Sequence, residues 1–305
     1  MKFFTDYTGV KFTGLKQVFD VSENFVEFGG LTIKWYGVII AFGFLLAVLF
    51  GGRMAYKYKV NLNHMVDVLI FGTIGGIVGA RLYYVIFEWD YYKDHLTEIF
   101  QIWNGGLAIY GGIIGGLILA YFVCRHHKMS FGQLLDFIGM SLLIGQGIGR
   151  WGNFANQEAF GTNTKAPWGM ISEKTTAYLQ EHYWEITDKG ITIDPKLPVH
   201  PTFLYESLWC IAGFILLYYI SKHYYKFYGQ LFLGYAIWYG IGRTIIEGFR
   251  TDSLYLAATN IRVSQALSAG LVVCCSLLMI AKFIEIKKDP SKANVKEPEK
   301  NVKAN

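Results

Sequence analysis

Seven long apolar runs constrain the fold of this chain more than any other feature of its sequence. Each has about the length, roughly 20 residues, that an α-helix needs to cross the hydrocarbon core of a bilayer. Their approximate bounds are 32–52, 64–88, 106–124, 131–149, 203–220, 229–247 and 261–284. Because only helices and closed barrels satisfy their backbone polar groups in lipid, the runs predict an all-α polytopic membrane protein with about seven transmembrane helices.

The composition agrees with a membrane-embedded chain. Of 305 residues, 53% are hydrophobic and 17% are charged, whereas soluble domains carry about a quarter charged residues. Aromatic side chains make up 17%, which suits a chain with many membrane–water interfaces. We expect no nucleic-acid partner.

Positively charged residues flank the predicted helices unevenly, and this bias predicts an orientation. Cytoplasmic loops carry an excess of Lys and Arg. Such residues follow the first, third and fifth runs: Arg53, Lys57 and Lys59, then Arg125 and Lys128, then Lys222 and Lys226. The segment after the seventh run is also rich in lysine. We therefore expect the N-terminus outside and the C-terminus inside.

This orientation predicts three regions. Residues 1–31 form an extracytoplasmic arm, and residues 32–286 form the seven-helix transmembrane domain. The long loop at 150–201 lies outside and is expected to form a small extracytoplasmic head. Residues 287–305, with almost no apolar side chains, are expected to be a disordered cytoplasmic tail.

Small residues inside the runs indicate packing positions. The four cysteines, Cys124, Cys210, Cys274 and Cys275, lie in or at the end of apolar runs, which predicts neither a disulfide framework nor a CxxC metal site. Glycines stand four apart at 72/76, 75/79, 111/115 and 112/116. Such spacing lets helices approach closely in lipid. The stretch GGLAIYGGIIGG at 105–116 is denser than packing requires and is expected to leave room for a ligand as well.

Ionisable residues inside the runs indicate a functional site, because a charge in lipid is costly. Five fall in the outer halves of their runs: Arg81, Arg150, Glu206, Arg243 and Glu247. Their convergence predicts a polar site that opens toward the outer leaflet. The alternatives are a structural ion pair between Arg243 and Glu247, which are four residues apart, and a structural counter-ion role for Arg81.

The segment GRWGNFANQEAFG, residues 149–161, is expected to break the fourth helix where it leaves the membrane. Its glycines, Asn153, Asn156 and Glu158 disfavour a continuing helix. Irregular backbone at membrane depth occurs where it lines a wet cavity or is buried in protein. Arg150, with amides and backbone donors beside it, suits a phosphate that it grips with its forked guanidinium.

The same segment resembles the signature of the prolipoprotein diacylglyceryl transferase family, Gly-Arg-x-Gly-Asn-Phe-x-Asn-x-Glu-x-x-Gly, at every fixed position. Four further blocks are similar and follow the family's order: WYG at 35–37, GGLAIYGG at 105–112, HPTFLYE at 200–206 and YGIGRTIIEGFR at 239–250. Two positions depart from the common pattern. Tyr110 stands where many members have His, and Phe203 stands where Gln is common.

The resemblance implies a multi-pass enzyme of the bacterial plasma membrane with its active site toward the outer leaflet. It implies transfer of the diacylglyceryl group of phosphatidylglycerol to the lipobox cysteine of a prolipoprotein signal peptide. A thioether forms, glycerol 1-phosphate leaves, and no metal or cofactor is expected. A transporter with an outward-facing polar cavity is the alternative, and it would spread charges over the full membrane depth.

Residue roles follow from this reaction. We expect Arg150 and Arg243 to clamp the lipid phosphate. Asn153 and Glu158 would orient Arg150 or the lipid glycerol. The other residues expected to contact substrate are Tyr36, Arg81, Asn156, Gly161, Tyr239 and Glu247.

The general base stays open among three candidates, Tyr110, His200 and Glu206. His200 has an alternative role as a cap at the entry of the fifth helix. We hypothesise that the positive field of the two arginines does most of the thiol activation, because nearby cations favour a thiolate.

Overall fold

The structure of the protein is a computed structural model that describes residues 7–251 and 262–295. The first six residues, the start of the seventh apolar run at 261 and most of the predicted tail, 296–305, lie outside these ranges.

The helices are α1 (Trp35–Lys57), α2 (Leu62–Phe87), α3 (Trp89–Tyr92), α4 (Ile109–His126), α5 (Phe131–Asn156), α6 (Glu173–Glu181), α7 (Tyr183–Asp188), α8 (Thr202–His223), α9 (Gln230–Glu247) and α10 (Val263–Lys288). The strands are β1 (Tyr7–Phe12), β2 (Val18–Ser22), β3 (Asn24–Phe28), β4 (Leu31–Lys34) and β5 (Met170–Ser172).

The predicted helical membrane fold is confirmed. Each of the seven apolar runs contains one long helix, namely α1, α2, α4, α5, α8, α9 and α10. Within the described ranges, six of these are long and apolar enough to cross a membrane. The seventh, α9, has 18 residues and carries Gln230, Arg243 and Glu247, which lower its apolar character.

The expected break of the fourth run after Arg150 is wrong in position. Helix α5 continues through Asn153 and ends only at Asn156. The chain then turns at Gln157 and Ala159, which have left-handed φ values of 57° and 54°. The helix continues because the side chains of its last turn find partners beside the axis, as described below, instead of competing for the backbone.

Two compact units make up the chain. Within the described ranges, the larger comprises residues 7–50, 138–251 and 262–294, and the smaller comprises residues 51–137. The larger unit contains the head, defined here as residues 7–34 and 157–201. Strand β1 pairs antiparallel with β2 and with β5, so the N-terminal arm forms one sheet with the loop at 150–201.

A small apolar core holds the head together. Its most deeply buried members include Val10, Met170, Leu179 and Val199, each no more than 1% exposed. Helix α6 begins with a capping box, in which Ser172 and Thr175 satisfy each other's backbone amides. Strands were not expected from the sequence, because β1 pairs with β5 across four intervening long helices in the chain.

Glycines fix the packing of α2 against α4 in the smaller unit, as their spacing predicts. A Cβ on Gly79 would lie 2.8 Å from the Cα of Gly115, and one on Gly115 would lie 2.9 Å from the Cα of Gly79. The close neighbours here are backbone atoms, so neither helix can make room for a Cβ by moving a side chain. Gly72 is different, since a Cβ there would meet its nearest atom only at 3.9 Å.

We predict that Gly115→Ala destabilises the protein and that Gly72→Ala does not. Overpacking a tight contact costs about 1–3 kcal/mol, and here backbone atoms would have to separate. Thermal unfolding of the two purified variants in one detergent measures the difference. Equal melting temperatures for Gly115→Ala and the unchanged protein would contradict the packing described for these helices.

Candidate active site

A cluster of arginine and glutamate side chains lies at one end of three helices of the larger unit. Glu206, in the first turns of α8, is at its centre. Its Oε2 lies 2.6 Å from Nη2 of Arg150 on α5. Its Oε1 lies 3.6 Å from Nη1 of Arg243 on α9 and 3.8 Å from Nη1 of Arg250 just beyond α9. One carboxylate therefore connects three guanidinium groups.

Arg243 also pairs with Glu247, one turn further along α9, with Nη2 and Oε2 2.8 Å apart. Three guanidinium groups and two carboxylates leave the cluster with one net positive charge. The side chains of Arg150 and Arg243 are 22% and 21% exposed, whereas those of Glu206 and Glu247 are 7% and 4% exposed. An anion that enters the cluster therefore meets arginine first.

Two amide side chains at the end of α5 converge on Glu158. Nη1 of Arg150 donates to Oδ1 of Asn153 at 3.3 Å, and Nδ2 of Asn153 donates to Oε1 of Glu158 at 2.9 Å. Nδ2 of Asn156 donates to the same Oε1 at 3.3 Å. The structure thus brings Arg150, Asn153, Asn156 and Glu158 into one hydrogen-bonded chain.

Glu158 is held in a strained turn. Its neighbours Gln157 and Ala159 both have left-handed backbone, which costs roughly 1–2 kcal/mol for a residue with a side chain. Such strain persists where the surrounding contacts impose it, often at functional sites. Here the hydroxyl of Thr202 donates to the carbonyl of Ala159 and fixes the turn to the start of α8.

Gly161 closes the site by joining three segments. Its amide donates to the carbonyl of His200 at 2.9 Å, and the next amide, of Thr162, donates to the carbonyl of Phe249 at 2.7 Å. A Cβ on Gly161 would lie 2.7 Å from that carbonyl oxygen and 2.9 Å from the Cβ of His200. The glycine is therefore required by space, and its role is to align the backbone.

Of the two predicted tyrosines, Tyr36 lies on α1 and Tyr239 lies on α9, which also carries Arg243. Tyr36, 38% exposed at the start of α1, lies against Gly152 of α5, where a Cβ would come within 2.8 Å of its ring. Tyr239 on α9 stacks on Tyr235, with 5.8 Å between the ring centroids. The hydroxyl of Tyr235 accepts a hydrogen bond from Nε2 of Gln146 at 3.0 Å.

His200 contacts a side chain and does not cap the helix. Its Nδ1 lies 2.9 Å from the hydroxyl of Tyr205, which in turn accepts a hydrogen bond from Nε1 of Trp168 at 2.7 Å. Burial lowers the pKa of the His200 imidazole. The arrangement fits a neutral ring whose Nδ1 accepts the tyrosine proton, with its own proton on Nε2.

Arg81 and Tyr110 belong to the smaller unit. The guanidinium of Arg81 donates to four backbone carbonyls, those of Glu98, Ile99, Gly105 and Gly106, at 2.6–3.0 Å, and the side chain is buried. These contacts favour the structural alternative, since they occupy Nε and both terminal nitrogens. Tyr110 is the second residue of α4 and is 59% exposed.

Arg250 was not predicted as a member of the cluster. The residue lies in the block YGIGRTIIEGFR, but it follows the end of the apolar run and was not counted among charges in lipid. The backbone bridge between Gly161 and Arg250 brings it back toward Glu206. The signal that could have found it was its place in the block, three residues after Glu247.

A reciprocal pair of tryptophans below the cluster was also missed. Nε1 of Trp209 on α8 donates to the carbonyl of Trp238 on α9, and Nε1 of Trp238 donates to the carbonyl of Trp209, both at 2.9 Å. The rings stack at 4.4 Å. Each indole lies over a glycine of the other helix, Gly242 under Trp209 and Gly213 under Trp238. The repeated Trp-x-x-x-Gly spacing is its signal in the sequence.

The fold and the site together define a class of protein: a helical membrane protein with an anion-attracting arginine cluster at one end of its bundle. The family model described as prolipoprotein diacylglyceryl transferase matches residues 23–281. The chain belongs to this family.

Three relatives from bacteria, each named phosphatidylglycerol–prolipoprotein diacylglyceryl transferase, agree with that assignment. The protein of Listeria welshimeri is 46% identical over 262 residues, which cover 86% of this chain and 90% of the relative. That of Finegoldia magna is 43% identical, covering 86% and 96%. That of Staphylococcus aureus (strain Newman) is 41% identical, covering 84% and 88%. These similarities give no support to the transporter alternative.

We predict that Glu206→Gln lowers the stability of the purified protein by about 3 kcal/mol, because it removes one partner from buried ion pairs and leaves three arginines close together. Thermal unfolding in detergent measures the loss. Glu185→Gln is the matched control, since Glu185 pairs with Lys189 on the exposed surface and its charge contributes little. The central role of Glu206 fails if both variants unfold at the same temperature.

Proposed function

We propose that this protein transfers the diacylglyceryl group of phosphatidylglycerol to the cysteine thiol of prolipoproteins, the first step of lipoprotein maturation. The observation that carries the proposal is the net positive cluster of Arg150, Arg243 and Arg250 around Glu206, built by three of the blocks that resemble the family, in an apolar helix bundle. The acceptor is a signal peptide with a lipobox cysteine.

The chemistry needs an anion site more than a protein nucleophile. The thiolate of the precursor attacks the glyceryl carbon that bears the phosphate, so that a C–S bond forms as the C–O bond breaks. The bonding electrons pass to the phosphate oxygen, and glycerol 1-phosphate leaves with more negative charge than the bound lipid had. Guanidinium donors of Arg150 and Arg243, already held in place by Glu206, stabilise that growing charge.

Glu206 is best explained as a positioning residue. Both of its oxygens lie within ion-pair distance of arginines, so it orients the phosphate clamp instead of taking the thiol proton. Nδ1 of His200 is engaged with the hydroxyl of Tyr205, 2.9 Å away, so this nitrogen does not take the thiol proton. Tyr110, 59% exposed at the start of α4, remains a candidate for the general base. We therefore assign most of the thiol activation to the field of the arginines.

The substrate contacts of the remaining residues follow from the same geometry. Asn153, itself bonded to Glu158, binds Nη1 of Arg150 while Glu206 pairs with Nη2, and Tyr36 and Tyr239 would contact the headgroup. Asn156, Gly161 and Glu247 support these groups. Arg81 acts by holding the segment before Tyr110.

We predict that Arg150→Lys lowers turnover by at least about 100-fold, the loss expected when one preorganised donor to a developing charge is removed. Lysine keeps the charge but loses the fork that spans Glu206, Asn153 and the phosphate. The assay supplies purified protein with phosphatidylglycerol and a lipobox peptide and measures the mass gain of one diacylglyceryl unit.

Arg125→Lys is the matched control, because Arg125 lies exposed at the end of α4 and is expected to keep full activity. A peptide with Ser in place of the lipobox Cys should stay unmodified. Full activity of Arg150→Lys would show that a forked clamp is not needed.

We also propose that the cluster and the head face the outer leaflet. Lys222 in the last turn of α8 and Lys226 just beyond it then lie at the cytoplasmic side, as the positive-inside rule requires. This orientation suits a precursor whose cysteine has already crossed the membrane.

The orientation predicts a labelling pattern for single cysteines in an active background without Cys124, Cys210, Cys274 and Cys275. Trp184→Cys in the head, 75% exposed, should react in intact cells with a membrane-impermeant thiol reagent. Tyr224→Cys after α8, 56% exposed, should react only after the cells are opened. The reverse pattern would place the active site on the cytoplasmic side.

A further inference from the structure

A cavity of about 290 Å³ lies beside the arginine cluster, on the head side of α5. It is lined by residues 156–160, which form the end of α5 and the strained turn, and by Lys174, Tyr178 and Thr251. Apart from Glu158 and the amides, these residues have no part in the phosphate clamp described above.

The wall of the cavity combines apolar and polar surface, and its lining contains one positive and one negative side chain. Lys174 is ion-paired with Glu23, and Glu158 accepts hydrogen bonds from two amides. Thr251 and Tyr178 contribute hydroxyl groups. The buried Oδ1 of Asn156 receives no hydrogen bond from the part of the chain that the structure describes. Mixed donors and acceptors with little net charge suit a neutral polyol better than a second anion or an acyl chain.

Two short routes connect the cavity to the phosphate clamp. Glu158 reaches Arg150 through Asn153. Thr251 directly follows Arg250, which pairs with Glu206. Asn156 lies six residues beyond Arg150 on α5, or about 9 Å along the axis at 1.5 Å per residue, which is comparable to the length of a phosphoglycerol group.

The direction of the displacement decides which substrate group fits here. Sulfur attacks the glyceryl carbon from the side opposite the departing phosphate oxygen. The free glycerol of the headgroup is attached to the other side of the phosphate, so it points away from the peptide. A group held beyond the arginines is therefore the headgroup glycerol, and the peptide approaches from the opposite side.

We infer that this cavity binds the free glycerol of the phosphatidylglycerol headgroup through its 1,2-diol, and thereby selects the lipid donor. The inference rests on the proposed function. The inference also explains the left-handed backbone of Gln157 and Ala159, which shapes the wall of the cavity beside Glu158.

The experiment compares two donors with identical acyl chains: phosphatidylglycerol and phosphatidylpropanol, which has the same three carbons but no diol. The full-length protein should prefer phosphatidylglycerol in kcat/KM. Thr251→Val and Tyr178→Phe each remove one hydroxyl from the wall. Each should lower kcat/KM for phosphatidylglycerol about five- to tenfold, as loss of a hydrogen bond does, and leave the value for phosphatidylpropanol unchanged.

Matched controls remove the same groups elsewhere in the head. Thr187→Val and Tyr183→Phe on α7 lie outside the cavity and should keep the preference of the unchanged protein. As a second readout, glycerol 1-phosphate should inhibit the unchanged protein more strongly than propyl phosphate, and the difference between the two inhibitors should become smaller in Thr251→Val.

Each outcome is informative. Equal use of both donors by the unchanged protein, or an equal loss on both donors in the cavity variants, overturns the glycerol site while leaving the transfer reaction intact. Transfer to neither donor overturns the proposed function itself, and the inference with it.

Discussion

The site depends on one buried carboxylate. Glu206 lies among three guanidinium groups that come from α5, from α9 and from the segment beyond α9. A charge in an apolar bundle must be paired, because removing it from water costs several kcal/mol. The same pairing leaves a net positive charge with the arginines on the accessible side. The need to neutralise Glu206 thus also builds the anion site.

The helices could be predicted because they are specified locally. The length of the apolar runs predicted the seven long helices. Glycines spaced four residues apart predicted the close contact between α2 and α4 that the structure contains. The strands could not be predicted, since β1 has its partner β5 far along the chain and neither is long enough to be recognised alone. The end of α5 was placed too early, because Asn153 was taken as a helix breaker when it bonds Arg150 and Glu158.

The site could be predicted where charge stood in an apolar context. Arg150, Glu206, Arg243 and Glu247 were found this way, and the structure brings them together. Arg81 met the same criterion but hydrogen-bonds to backbone carbonyls, and no sequence pattern reveals which carbonyls a folded loop will present. Arg250 follows the end of the apolar run, so it was not recognised as a charge in an apolar context. The backbone bridge between Arg250 and Gly161 nevertheless brings it to the cluster.

The distance between Glu206 and Arg243 is set below the cluster, by the tryptophans of α8 and α9. Each indole bonds to the backbone carbonyl of the other tryptophan and rests on a glycine of the other helix. A shift of one helix along the other would break both hydrogen bonds and drive both rings off their glycines. Because Glu206 lies three residues from Trp209, and Arg243 five from Trp238, the register fixed by the rings is transmitted to the ion pair. The polar site is therefore preorganised by apolar packing, which is the condition under which fixed charges stabilise a transition state most effectively.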